Sequence, residues 1–328
     1  MRAAAALVCD QDPAKLEAHK DKGYALFTDS DELISSGLCD ACVWAFLLCS
    51  ALHPGAPPAE PAARVRRIVI ATPHYYHTTI AIAAIGAGLN VLTEKPLSVH
   101  KADCEKVIEA FENRPDKSKI FSEMFNQRTD NTCTPSPLRP AVTRRAERRA
   151  AVPADIKMRE MVQGGELGEL RRVNWIITNW FRTQQYYDQG GWRATWAGEG
   201  GGVLTNQCPH QLDLVQWVCG MPSSVSAHIG LGKYHDIEVE DEVTAYLEYP
   251  NGATGIFITT TGEAPGTNRF EVVGQNGKLV SENGKLTFTK NAVSIQAAIR
   301  GDGEMSHEVR THTLRAQALS QNQTAWVW

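Results

Sequence analysis

Apolar positions in the first part of the chain come in short runs separated by helical patterns. Ala3–Cys9, Arg67–Thr72 (RIVIAT), Asn90–Thr93 and Lys119–Phe125 read as strands. Between them, Pro13–Lys22, Thr78–Gly86 and Lys101–Asn113 carry the spacing of helices. Strands alternating with helices predict a small α/β domain with a doubly wound parallel sheet.

From about Leu170 the period changes to longer alternating runs, at Leu170–Arg182, Ser224–Gly232, Glu242–Tyr249, Ala253–Thr261, Arg269–Gly274 and Lys278–Ser281. Alternation with one polar face favours an antiparallel sheet open on one side. Asn251-Gly252, Asn276-Gly277 and Asn283-Gly284 stand at the junctions, where tolerance of positive φ suits tight hairpins. One helix, roughly Val203–Cys219, interrupts this region, so the second domain reads as α+β. The tail after about Ile295 loses its periodicity and reads as irregular.

Two segments fit neither pattern. Leu52–Arg67 and Thr132–Pro153 are rich in Ala, Pro and Arg and read as loops or disordered insertions. The expected organisation is therefore a first domain over 1–128, a biased linker over 129–155, a second domain over 156–295 and a tail over 296–328. Arg144, Arg145, Arg148 and Arg149 cluster in the second segment, and in an acidic chain they read as a solvated run.

The chain has 328 residues, 43% of them hydrophobic, which is enough for two separate cores. A formal net charge of -4 gives no general attraction to nucleic acid or anionic membranes. The longest apolar run, Ala41–Leu52, is too short to span a bilayer, and Ala3–Val8 is short for a signal-peptide core, so a cytoplasmic protein is expected. Eight cysteines are scattered, with only Cys39 and Cys42 in a CxxC pair. Nothing stands at zinc-site spacing, and the expectation is reduced thiols and no metal.

Two constellations carry chemistry. Thr93-Glu94-Lys95-Pro96-Leu97 follows a strand, and the carboxyl ends of parallel strands are where ligands bind. The proline fixes the backbone next to Lys95, so its ammonium can be held near a substrate hydroxyl or carbonyl. The second constellation is Gly200-Gly201-Gly202 followed by Asn206, His210 and Asp213 at i, i+4, i+7. On a continuous helix these would form one stripe, although Pro209 must then sit in the first turn or kink it. An imidazole suits proton removal from an alcohol as hydride leaves. Just before the glycines, Arg182, Tyr186, Tyr187, Trp192 and Arg193 form an aromatic and cationic stretch suited to stacking on and hydrogen-bonding a carbohydrate.

Glu94-Lys95-Pro96, the preceding Ala71-Thr72-Pro73 with His77, the Gly164–Gly168 turn, and GGGVLTNQCPHQLDLVQW over Gly200–Trp217 occur in the order seen in the Gfo/Idh/MocA oxidoreductases, which this chain resembles. The resemblance implies an incomplete Rossmann-type domain binding NAD or NADP, then a domain whose large open sheet joins subunits into a homodimer or homotetramer, with a sugar or polyol substrate between them. It implies that Lys95 hydrogen-bonds the reacting oxygen and that His210 acts as acid or base during hydride transfer. Asn206 stands where many relatives carry Asp; it can orient the sugar but cannot serve as a carboxylate base. Tyr187, Trp192 and Arg193 would bind substrate. Asp10, Thr72, Pro73, His74, His77, Glu94, Lys95 and Asn126 would contact the cofactor, Asp10 at the adenosine ribose and in favour of NAD.

No GxGxxG turn precedes Asp10, so the first strand and phosphate cradle of such domains are expected to be missing. Cys39-Asp40-Ala41 would normally run straight into Ile68–Pro73. The sequence is thus expected to be a truncated or imperfectly joined version with insertions. Two other readings remain: a redox-assisted glycosidase of the same family, and a noncatalytic sugar-binding or interaction protein.

Overall fold

The computed structural model describes residues 7–22, 24–36, 42–43, 67–128 and 154–313. Cys39, the Arg144–Arg149 cluster and nearly all of both biased segments lie outside them. Two compact units emerge: Met1–Met124 with Trp196–Gly200, and Phe125–Thr195 with Gly201–Trp328.

The first unit holds a six-stranded, wholly parallel sheet in the order β2 (Ala25–Phe27), β1 (Leu7–Cys9), β3 (Cys42–Val43), β4 (Arg67–Ile70), β5 (Asn90–Thr93) and β6 (Phe121–Glu123). The chain leaves β1 on one side for β2 and returns on the other for β3, so the order reverses between β1 and β3. Such a switch point opens a crevice at the carboxyl edge. Cys42–Val43 forms its own strand between β1 and β4.

Helix α1 (Pro13–Glu17) starts on the side chain of Asp12, and α2 (Ser30–Ser35) on that of Asp29, which accepts from the amides of Asp31 and Glu32. The helical pattern read over Pro13–Lys22 therefore breaks after one turn, with a 3₁₀ turn at Lys20–Lys22. Helices α3 (His77–Gly86) and α4 (Lys101–Glu112) complete the unit. Ile68, Ile70, Ile80, Ala81, Ala84, Leu33, Val91 and Val107 form its core.

The second unit begins with α5 (Ala154–Gln163), and its sheet runs in the order β14 (His307–Thr313), β13 (Lys285–Asn291), β12 (Gly277–Glu282), β11 (Asn268–Gly274), β7 (Leu170–Ile177), β10 (Thr254–Thr260), β9 (Glu240–Glu248) and β8 (Ser224–Leu231). All pairs are antiparallel except β7 with β10. The sheet buries alternate residues against α5 and against α7 (Pro209–Cys219), which follows the short α6 (Gln184–Asp188). At the centre Trp175 stacks on Phe270, ring centroids 4.3 Å apart and nearly parallel.

Two sequence expectations change here. The helix starts at Pro209, not Val203, because proline lacks the amide an earlier helical turn would need and is favoured at the first helical position. The tail is not irregular at its start: α8 (Ile295–Arg300) is capped by Ser294, and β14 extends the sheet. Among the described residues no helix is long and apolar enough to cross a membrane.

Truncating Phe270 removes both a fully buried ring and the Trp175 stack. Phe270→Ala is expected to lower stability by about 3–5 kcal/mol, read as a shift of the urea midpoint followed by tryptophan fluorescence.

Candidate functional site

In the first unit, Asp10, Thr72, Glu94 and Lys95 follow the carboxyl ends of β1, β4 and β5. The Asp10 carboxylate accepts the Asp12 amide at 2.9 Å and lies 4.0 Å from Lys15 Nζ. Thr72 Oγ1 is buried and has no hydrogen-bond partner among the described residues. The Glu94 amide donates to Ile70 O at 2.8 Å, which ties the start of the Lys95 loop to the neighbouring strand.

His77 holds that loop from behind. Its ring is fully buried, with Nδ1 2.7 Å from the Pro96 carbonyl oxygen and Nε2 2.8 Å from that of Thr72. Both nitrogens are occupied by backbone, so His77 braces the loop from the interior. Burial pushes its pKa below the ordinary 6.5, against the two carbonyls and Glu94, which pull it up.

His74 is also buried, with Nδ1 2.8 Å from Glu199 O, and the Tyr75 hydroxyl donates to Trp196 O at 2.7 Å. These bonds fasten the strap Trp196–Gly200 to the first unit. Gly200 has φ +79°, and a Cβ there would collide with Val99.

In the second unit, the glycine run leads into α7. The amides of Gly202 and Leu204 donate to the two carboxylate oxygens of Glu240, at 2.9 and 3.1 Å, and the Val203 amide donates to Glu240 O at 2.9 Å. A side chain at Gly202 would overlap that carbonyl, so the approach requires glycine. Asn206 lies in the turn before α7, its amide donating to Gly202 O, and shares no helix with His210. The stripe expected from i, i+4, i+7 spacing therefore does not form as a helical face.

His210 stands in the first turn of α7, edge-on to Phe125 at 5.8 Å. Asp213, one turn on, is buried and paired through both oxygens with Arg128, Nε to Oδ2 being 2.6 Å. The 3₁₀ turn Asn126–Arg128 is thereby fixed to α7, helped by Gln211 donating to Gln127 at 3.1 Å. Asn126, expected beside the cofactor, belongs to the second unit.

The aromatic stretch folds around Asp241. Its fully buried carboxylate accepts the amides of Lys233, Tyr234 and His235 at 2.9, 2.8 and 3.0 Å, and lies 2.9 Å from His235 Nδ1. His235 Nε2 is 2.9 Å from Arg182 O, and its ring meets Tyr187 edge-on. The Tyr187 hydroxyl donates to Thr261 Oγ1 at 2.8 Å, so this residue is a buried support. Arg193 lies over the rings of Tyr186 and Trp192 and donates to the Tyr186 hydroxyl at 3.0 Å.

Sequence reasoning missed Glu240, Asp241 and His235. Glu240 and Asp241 open β9 side by side and both are buried, which the alternation of side chains along a strand does not foretell. A cavity of about 500 Å³ elsewhere in this unit, lined by Leu170, Arg172, Asn251, Val273, Gln275 and Ile295, contains none of the candidate residues.

Two family models match the chain: an oxidoreductase family with an NAD-binding Rossmann fold over residues 55–121, and the GFO/IDH/MocA C-terminal domain over 156–280. Together they cover more than half of it. The chain belongs to the Gfo/Idh/MocA oxidoreductases.

Among curated members it is similar to levoglucosan dehydrogenase of Pseudarthrobacter phenanthrenivorans, 24% identical over 237 residues, covering 64% of this chain and 54% of that protein. Bovine (Bos taurus) trans-1,2-dihydrobenzene-1,2-diol dehydrogenase is 28% identical over 211 residues, 63% of this chain and 52% of its own. The chain thus spans about half the length of these curated relatives. Among solved structures the fold matches levoglucosan dehydrogenase with NADH and levoglucosan, with a TM-score of 0.64 at 18% identity over 93% of this chain and 70% of that one. It also matches the WlbA dehydrogenase of Bordetella pertussis with NADH and UDP-GlcNAcA, with a TM-score of 0.63 at 24% identity over 84% and 65%.

The lowered pKa of His77 carries a sign. Below 6.5 the unfolded chain takes up a proton that the folded ring refuses, so the contribution of the neutral ring is present above 6.5 and lost as pH falls. His77→Gln is expected to flatten the fall in melting temperature between neutral pH and about pH 5, and an unchanged slope would remove His77 from that role.

Proposed function

We propose that this protein transfers a hydride between a nicotinamide cofactor, NAD in preference to NADP, and a hydroxyl of a sugar, inositol or glycoside. The observation that carries the reading is Lys95, held at the carboxyl end of β5 by a loop tied through Glu94 to β4 and braced by His77. Family membership and the NADH complexes of the fold relatives support it.

The dinucleotide fits the described residues in part. The buried, unpartnered Thr72 Oγ1 beside the Lys95 loop suits a polar ligand group, and Asp10 at the end of β1 suits a ribose. Pro73, His74, Glu94 and Asn126 complete the proposed cofactor contacts. No glycine-rich turn opens a helix after the described strands, so the pyrophosphate has no cradle among them.

When bound, the cofactor supplies the hydride acceptor. Lys95 donates a hydrogen bond to the reacting oxygen, and His210 takes the hydroxyl proton as the C–H bond breaks. Asn206 orients the sugar through its amide. Trp192 stacks on a sugar face, Arg193 donates to its hydroxyls, and Tyr187 supports this wall.

We also place the protein in the cytoplasm as a homodimer or homotetramer. The sheet face opposite the helices carries Tyr246, Ile256 and Ile258, which suit a second copy. Light scattering is expected to give at least twice the chain mass, and a fully active monomer would remove that assignment.

The decisive assay incubates the purified chain with NAD and a panel of polyols and anhydrosugars while NADH is followed. Lys95→Ala and His210→Ala are each expected to lower kcat/KM by roughly 10²–10⁴-fold, and His210→Ala to leave NAD binding, measured by calorimetry, within about threefold. Absence of dinucleotide binding by the chain as it stands would overturn the reading.

A further inference from the structure

Two consecutive buried carboxylates, Glu240 and Asp241, each hold a run of three successive amides. Glu240 takes those of residues 202–204 through both carboxylate oxygens and its own carbonyl, while Asp241 takes those of residues 233–235 on its carboxylate alone. Successive N–H groups that converge in this way form an anion-binding concavity. Here the strand itself fills both.

From the Glu240 anchor the chain is locked up to His210. Gly202 O accepts from the amides of Thr205 and Asn206, and Val203 O from those of Gln207 and Cys208. Cys208 O accepts from Gln211 and Leu212, which opens α7. Cys208 Sγ lies 2.9 Å from Thr259 Oγ1, so the last residue before the helix is pinned to the sheet as well. Glu240 thus sets the position of Asn206 and of the first helical turn.

Asp241 does the same for the aromatic stretch. It holds His235, whose other nitrogen faces Arg182 O and whose ring supports Tyr187, and Asp241 O accepts from Thr260 Oγ1 and the Thr261 amide. One rigid dipeptide therefore references two loops to a single strand.

We propose that Glu240 is a positioning residue for proton transfer at His210 and that Asp241 is a positioning residue for the substrate wall. This rests on the hydride-transfer reading, and the two acids divide the kinetic effects. Glu240→Gln keeps the shape but turns an amide NH₂ toward a backbone N–H, so one of the two carboxylate bonds is lost and the turn before α7 shifts. It is expected to lower kcat roughly 10–100-fold, since small misplacement of a reacting group has effects of that size, with little change in KM for the sugar. Asp241→Asn is expected mainly to raise that KM. Glu248→Gln, the same charge change at the exposed far end of β9, is the control.

The independent readout is the imidazole resonance of His210 in ¹⁵N-histidine spectra, together with amide exchange over residues 201–210. Glu240→Gln is expected to shift the titration of His210 and to raise exchange in that segment at least tenfold, whereas Glu248→Gln leaves both unchanged. If Glu240→Gln does not fold, Glu240→Asp, which withdraws the carboxylate by one methylene, is measured in its place. A wild-type chain without dehydrogenase activity sinks the hydride-transfer reading but leaves the spectral arm intact. Unaltered His210 titration and exchange in the Glu240 variant overturn the positioning role, whatever the activity.

Discussion

The second unit depends on satisfying buried backbone amides without secondary structure. The glycine run and the turn at Lys233–His235 each turn three successive N–H groups inward, and an unpaired buried amide costs about 1–3 kcal/mol. Glu240 and Asp241 remove that cost from within the sheet. The arrangement ties the loops to the strand, because a carboxylate bound by several donors is positioned in more than one direction. A loop that satisfied its amides with water would reach the same hydrogen-bond count and lose the geometry.

The first unit solves a related problem differently. The Lys95 loop has no buried acid; it is anchored by backbone bonds to Ile70 and by the ring of His77, which spans from Thr72 to Pro96. A neutral imidazole has one proton for two carbonyls, so one contact lacks the hydrogen of a full bond. Burial nonetheless disfavours the charged ring and holds its pKa below the ordinary value.

Much of this was legible in the sequence where one physical rule acted alone. Asn90–Thr93 falls on β5 as read, because an apolar run bounded by turn residues has few alternatives. The Asn-Gly pairs mark three hairpin turns of the second sheet. Ala25–Phe27 and Ser30–Ser35 escaped because elements of three and six residues are shorter than any periodicity can reveal. The helix start failed for a chemical reason: apolar spacing ran back to Val203, but the amides there are bound to Glu240, thirty-eight residues beyond Gly202. Long-range acceptors leave no local pattern, which is also why the Arg128–Asp213 pair could not be foreseen from either residue's neighbourhood.

The strap Trp196–Gly200 has a consequence for the order of events in synthesis. The first unit is not contiguous: its His74 and Tyr75 bond to carbonyls that the ribosome adds more than a hundred residues later. A nascent chain released through Met124 can collapse its parallel sheet, yet it lacks the partners of these two side chains until Gly200 has emerged. Completion of the first unit therefore waits on translation of the middle of the second, and the two cannot mature strictly one after the other.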